Sequence, residues 1–161
     1  MRNLIKETIV KRFCTSAVIL LAVCAVVQAA PPPGAPSFRD AVDGHLTAIA
    51  HRDLGALLPT LTDGKELTMI GPDGHKWDTK DQYVEFHRAW FAAKDDGRLE
   101  PTIIRVIETP ALGHALIKYR YTSRVASGQT QTIVSWLALT FAMQHGRWHL
   151  VFDQNTLIQK P

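Results

Sequence analysis

Cysteine is nearly absent from this chain. Its 161 residues include two, Cys14 and Cys24, and both fall within the first thirty. Beyond Ala30 the chain therefore has no disulfide framework, no thiolate nucleophile and no cysteine-ligated metal available to it. A surplus of one charge is missing as well, although the whole-chain figures of 18 Lys+Arg against 15 Asp+Glu, net +3, suggest otherwise. Arg2, Lys6, Lys11 and Arg12, against the single acid Glu7, precede Pro31, so the remainder holds fourteen residues of each sign. Such a neutral remainder removes the electrostatic case for a nucleic-acid partner, which needs Lys and Arg grouped on one face. A membrane-length apolar run is also lacking. The longest, Phe13 to Val27, has 15 residues, short of the roughly 18 to 20 that a spanning helix needs.

What that first segment does contain is an export signal. A positive start, the apolar run and the small-residue end Gln28-Ala29-Ala30 are the three parts of a secretory signal peptide, with Val27 and Ala29 favouring cleavage after Ala29. A retained anchor is the plain alternative. Leu21-Ala22-Val23-Cys24 also resembles a lipoprotein box, ranked lower because Val23 stands where a small residue is wanted. The expected organisation is a signal peptide over 1–30, a Pro-rich tether over 31–37 and one domain over 38–161. The protein is expected to be periplasmic or secreted, with no stable membrane insertion after cleavage.

Within the domain, Ser37 and Asp40 signal a helix start, and Phe38, Val42, His45, Leu46 and Ile49 follow at helical spacing. Asp53 caps a second, shorter helix interrupted at Pro59. A hairpin is expected over Glu66–Ile70 and His75–Asp78 around Gly71-Pro72-Asp73-Gly74. Thr79 and Gln82 open a third helix with the stripe Tyr83, Phe86, His87, Trp90 and Phe91. From Pro101 the period becomes alternating, giving strands over Thr102–Glu108, His114–Val125, Thr130–Gln144 and Arg147–Ile158 separated by turns. The predicted class is α+β: three helices packed on a strongly curved antiparallel sheet. The run Thr130–Gln144 is apolar on both faces, which suggests that a second subunit covers the outer one.

This order of elements, with the ending Gly146-Arg147-Trp148-His149-Leu150-Val151-Phe152-Asp153, resembles the NTF2-like superfamily and within it the SnoaL-like or DUF4440 proteins. Their last strand often runs Gly-(Arg/Lys)-Trp-x-(Ile/Leu)-Val-x-Asp. The resemblance covers Phe38 to Ile158 and implies a cone enclosing a deep pocket, often paired into a dimer through the outer sheet face. Its members include isomerases, dehydratases and cyclases as well as non-catalytic binding and assembly domains, so fold alone does not assign function.

His87 stands as a polar residue inside an apolar stripe, where it can act as a base or hold an oxyanion. The favoured plainer reading is a structural histidine donating to a backbone carbonyl. Tyr119 and Tyr121 project from the buried face of their strand, and the resemblance points such positions into the cavity as hydrogen-bond donors to a substrate oxygen; filling the core explains them equally well. Asp153 matches the terminal aspartate of the family strand, and burial would make it an acid or base. Strict alternation with Trp148, Leu150 and Phe152 inward turns it outward, however, and only a bulge brings Asp153 or Asn155 in. Trp77, Tyr83 and Trp90 are further ligand-contact candidates, with Trp77 and Trp90 as an aromatic lip. No metal motif occurs, and no P-loop, nucleophile elbow or dinucleotide fingerprint.

The leading expectation is an exported homodimer that binds a small apolar or amphipathic molecule without a cofactor. Cofactor-free isomerase, dehydratase or hydrolase chemistry and a non-catalytic assembly module are the alternatives. Convergent polar groups in the cavity would favour catalysis, an apolar cavity binding, and a filled cone assembly.

Overall fold

The structure, a computed structural model, describes residues 36–93, 96–125 and 127–159. The expected signal peptide and most of the tether lie outside the described residues. Helix α1 runs Phe38–Ala50, and its first turn is closed by the expected capping box: Ser37 accepts from the Asp40 backbone while Asp40 accepts from that of Ser37. One apolar side of α1, including Phe38, Val42, Leu46 and Ile49, is buried. Asp53 caps α2 (Leu54–Leu57), which tightens at Pro59 into a 3-10 turn over Leu58–Thr60. The hairpin strands are β1 (Glu66–Ile70) and β2 (Lys76–Thr79), followed by α3 (Lys80–Ala92), β3 (Arg98–Glu108), β4 (Leu112–Arg124), β5 (Thr130–Gln144) and β6 (Arg147–Gln159).

These strands form one open six-stranded sheet in the order β2-β1-β6-β5-β4-β3. Its pairing corrects the expectation of a wholly antiparallel sheet, because β1 lies parallel to β6, with Thr68 opposite Phe152 and Ile70 opposite Gln154. The hairpin thus extends the meander from its far side. Strand β3 also starts earlier than expected and takes in Pro101. Pro101 lacks an N–H, but β3 is an edge strand and a missing donor costs little there.

Two rows of side chains on the inner sheet face meet the helices. Ala115, Ile117 and Tyr119 of β4 and Ser135, Leu137, Leu139 and Phe141 of β5 are all buried, the alternation expected of one covered face. At one end of this core Phe38 packs edge-on against Phe141 and tilts onto Trp148. Phe152, expected inward, is only half-buried. In β6, Leu150 pairs with Phe141 while Phe152 pairs with Thr140, leaving Val151 as an extra residue between adjacent pairs. This bulge shifts the alternation by one, so Asp153, opposite Leu139, and Asn155, opposite Leu137, enter the inner face.

Candidate functional site

A cavity of about 420 Å³ opens between α3, the β1–β2 hairpin and the inner sheet face. Leu46 and Ile49 of α1, Met69 of β1, Leu99 of β3 and Ile133 and Leu137 of β5 supply its aliphatic wall. Trp77, Phe86 and Trp90 line one side as an aromatic row, with centroids 4.9 Å apart for Trp77 and Phe86 and 6.2 Å for Phe86 and Trp90. Tyr119, Tyr121, His87, Asn155 and Asp153 bring polar atoms to the same space. Among the described lining residues there is no Lys or Arg. A second hollow of about 300 Å³, between α1 and β3, carries the exposed pair Arg39 and Asp43 and gathers no buried titratable group.

Asp153 is the unusual member. Its side chain is buried, and among the described residues no basic group pairs with it. Burial pushes its pKa up from 3.8 to about 7, against the opposing effect of the hydrogen bond from Asn155 and of the nearby Tyr83 hydroxyl. Asn155 Nδ2 donates to Asp153 Oδ1 at 2.9 Å and also to the Ile70 carbonyl at 3.2 Å, so β1 helps hold the amide in place. An apolar wall with a half-ionised carboxyl in it is a setting for proton transfer near neutral pH.

His87 Nδ1–H donates to the Tyr83 carbonyl one helical turn back, at 2.9 Å. Burial depresses its pKa to about 4, so the ring is neutral at pH 7, with the hydrogen on Nδ1 and a lone pair on Nε2. Tyr119 reaches the cavity from β4 and is held protonated, burial raising its pKa. The hydroxyl of its cross-strand neighbour Ser135 approaches the phenol but makes no well-formed hydrogen bond. Tyr121 accepts from Trp90 Nε1 at 3.2 Å, which joins β4 to α3 at the rim. Gly97 backs this contact closely, for a Cβ there would run into the Tyr121 hydroxyl and Arg52.

Seven of the eight residues singled out from sequence meet at this one cavity. Tyr83 does not, because it is fully buried and faces away from the lining toward α1, where its hydroxyl lies 3.4 Å from His45 Nε2. His45 was not singled out, yet it interrupts the apolar stripe of α1 just as His87 interrupts that of α3. The same signal could have found it. Among the described residues no group of His, Cys, Asp and Glu is arranged to hold a metal ion.

A family model described as the SnoaL-like domain matches residues 39–155. The chain belongs to the SnoaL-like domain family. Within the wider NTF2-like superfamily, this SnoaL-like domain is similar to a ketosteroid isomerase-like protein from Erwinia carotovora atroseptica, with 18% identity over 75% of this chain and 93% of the other and a TM-score of 0.65. It is similar to an NTF2-like superfamily protein from Salmonella enterica serovar Typhimurium, at 16% identity over 75% and 88% and a TM-score of 0.63. A hexachlorocyclohexane dehydrochlorinase aligns at 10% identity over 76% and 84%, with a TM-score of 0.65. At these identities the likeness concerns the fold. No curated protein matches this chain in sequence.

Proposed function

We propose that this SnoaL-like domain is a cofactor-free enzyme that transfers a proton on a small, uncharged, mostly apolar substrate, with Asp153 as the acid/base group. The observation that carries this reading is a buried carboxyl, without a cationic partner among the described residues, at a cavity whose wall is mostly apolar. Tyr119 supplies a protonated phenol for an oxygen that gains negative charge in the transition state, and neutral His87 offers Nε2 as a second acceptor. The absence of Lys and Arg from the described lining argues against a carboxylate or phosphate substrate. Isomerisation, dehydration and elimination of a hydrogen halide can each proceed through removal of a proton from carbon, and a carboxylate freed of bulk water suits that step.

Exchange in deuterated water tests this directly. Small ring ketones and enones incubated with the protein are expected to incorporate deuterium next to the carbonyl faster than in buffer. The aromatic row and aliphatic wall favour a second reading, binding without turnover. Ketones that bind the cavity, as seen by quenching of the Trp77 and Trp90 fluorescence, yet exchange no faster than in buffer, would support that reading.

Export and pairing form part of the same proposal. Trp136 of β5, Leu112 of β4 and Ile107 of β3 remain exposed, and a second copy laid across this outer face would cover them. Native mass spectrometry of the exported protein is expected to show dimers whose chains begin at Ala30. Monomers at micromolar concentration contradict the pairing, and a retained or lipidated leader contradicts the cleavage.

A further inference from the structure

The acids and bases that line the cavity are one-sided. Asp73 and Asp153 both reach it, and among the described lining residues no Lys or Arg offsets them. Asp73 is exposed on the turn between β1 and β2, where its Oδ1 accepts from the His75 backbone at 3.0 Å, whereas Asp153 is buried. Asn155 on the same strand, Tyr119 on β4 and His87 on α3 share the cavity with Asp153, and the Tyr83 hydroxyl lies nearby. None of these is cationic at pH 7, since burial holds the His87 pKa at about 4 and leaves its Nε2 as an acceptor. The cross-strand neighbours of Asp153, Met69 on β1 and Leu139 on β5, are apolar.

The wall that shares this space with the carboxyls is aromatic. Trp77, Phe86, Trp90 and Tyr121 follow one another along it, with centroids 4.9, 6.2 and 5.7 Å apart and successive rings tilted by 50°, 36° and 66°. Rings of this kind attract a cation through the negative charge of their π faces, most strongly where water is excluded. Trp90 already engages one such group, for Arg52 Cζ lies 6.0 Å from its centroid. That guanidinium is tied to the Ala93 and Gly97 carbonyls, at 2.9 and 3.1 Å, and Arg52 does not line the cavity.

Aromatic rings alone accept any apolar guest, and carboxyls alone accept any cation. Together they select. A bare metal ion needs several oxygen or nitrogen ligands, and among the described residues no His, Cys, Asp and Glu are grouped to supply them. An ammonium ion with apolar substituents fits better, because its charge lies beneath a hydrocarbon surface and less hydration is given up on entry.

We propose that the cavity binds a second class of ligand, an organic ammonium ion with apolar substituents, held by the aromatic wall with the Asp153 carboxylate as its counter-ion. The inference goes beyond proton transfer and does not need it. An ammonium ion seated there takes the space of an uncharged substrate and pairs with the carboxylate, so it inhibits whatever turnover the cavity supports.

Calorimetric titration of the wild-type protein at about pH 8 tests this with two ligands of one shape, the 4-(hydroxymethyl)phenyltrimethylammonium ion and 4-tert-butylbenzyl alcohol, in which carbon replaces the charged nitrogen. The ammonium ion is expected to bind at least about tenfold more tightly than the alcohol, and each ligand should displace the other. Asp153→Asn keeps the shape of the side chain and removes its charge, and it is expected to reduce the preference by at least about fivefold while changing the affinity for the alcohol by no more than about twofold. Should that variant fail to fold, Trp77→Leu, on the hairpin rather than on β6, is expected to reduce the preference by about threefold. An ammonium ion that does not bind by roughly 1 mM, that binds no more tightly than the alcohol, or that binds alongside it overturns the proposal. So does a preference that survives the substitution unchanged. Proton transfer is judged separately by deuterium exchange in the absence of the ammonium ion, so either reading can fail while the other stands.

Discussion

Asp153→Asn is expected to lower enzyme-dependent deuterium exchange by about 10³-fold, within the range of roughly 10² to 10⁴ that a positioned acid/base group supplies, while the fold remains intact. The amide keeps the shape of the carboxyl and can still accept from Asn155, so packing around β6 is preserved, but it cannot take a proton. Stability should change with pH in a way that identifies the same group. Folded Asp153 holds its proton to about pH 7, against 3.8 when exposed; the stability this contributes is complete below 3.8 and is lost as pH rises through 7. His45 and His87 run the other way. Their folded values of about 3 and about 4 lie below the ordinary 6.5, so their contribution is present above 6.5 and lost as pH falls through 4 and then 3.

Two histidines against one carboxyl leave a net uptake of about one proton on unfolding between roughly pH 4 and 6.5, and wild-type stability should climb by about 1.4 kcal/mol per pH unit across that window. In Asp153→Asn the opposing group is gone, and the slope should double. Urea unfolding at several pH values measures both. An unchanged slope, or exchange unaffected by the substitution, would remove Asp153 from the central role assigned to it.

Phe38→Ala is expected to cost about 3 to 5 kcal/mol, the usual range for an aromatic side chain deleted from a packed core. Phe38 is buried, with ring centroids 5.7 Å from Phe141 and 5.0 Å from Trp148, and it lies flush on Gly113 of β4. A Cβ at position 113 would fall within 2.6 Å of Phe38 Cδ2 and Cζ, so the strand can carry only glycine there while the ring stays in place. Gly113→Ala alone should therefore destabilise by about 1 to 3 kcal/mol through overpacking. In the double variant the new methyl enters space that the ring has vacated, and the combined loss should fall short of the sum by more than about 0.5 kcal/mol. Additive losses would mean that Phe38 and Gly113 are not in the contact described.

The local elements were largely legible in the sequence because their signals are local. Ser37 and Asp40 announce α1, Thr79 and Gln82 announce α3, and the alternation of Ala115, Ile117 and Tyr119 gives the inner face of β4. What could not be read depends on partners distant along the chain. Nothing within Glu66–Ile70 shows that this five-residue strand will lie parallel to β6, some eighty residues later. Thr102 looked like the start of a strand because Pro101 normally ends one, and only the edge position of β3 permits otherwise. Asp153 and Asn155 depended on whether β6 bulges. The pairing of Phe152 with Thr140 supplies that extra residue at Val151, and no pattern in the strand itself marks it. Residues bordering the cavity stood out by being polar or aromatic in apolar stripes. Tyr83 shares that pattern but points toward His45, a difference of helix rotation that spacing does not resolve.

The proposed proton transfer depends on Asp153 keeping its proton to near-neutral pH inside a mostly apolar cavity. NMR titration of protein labelled at the aspartate carboxyl carbon, with the Asp153 resonance assigned by its disappearance in Asp153→Asn, measures this without knowledge of the substrate. A midpoint near 7 is the predicted result. A midpoint near the ordinary 3.8 would show a solvated or ion-paired carboxylate, and would contradict the proposed proton transfer.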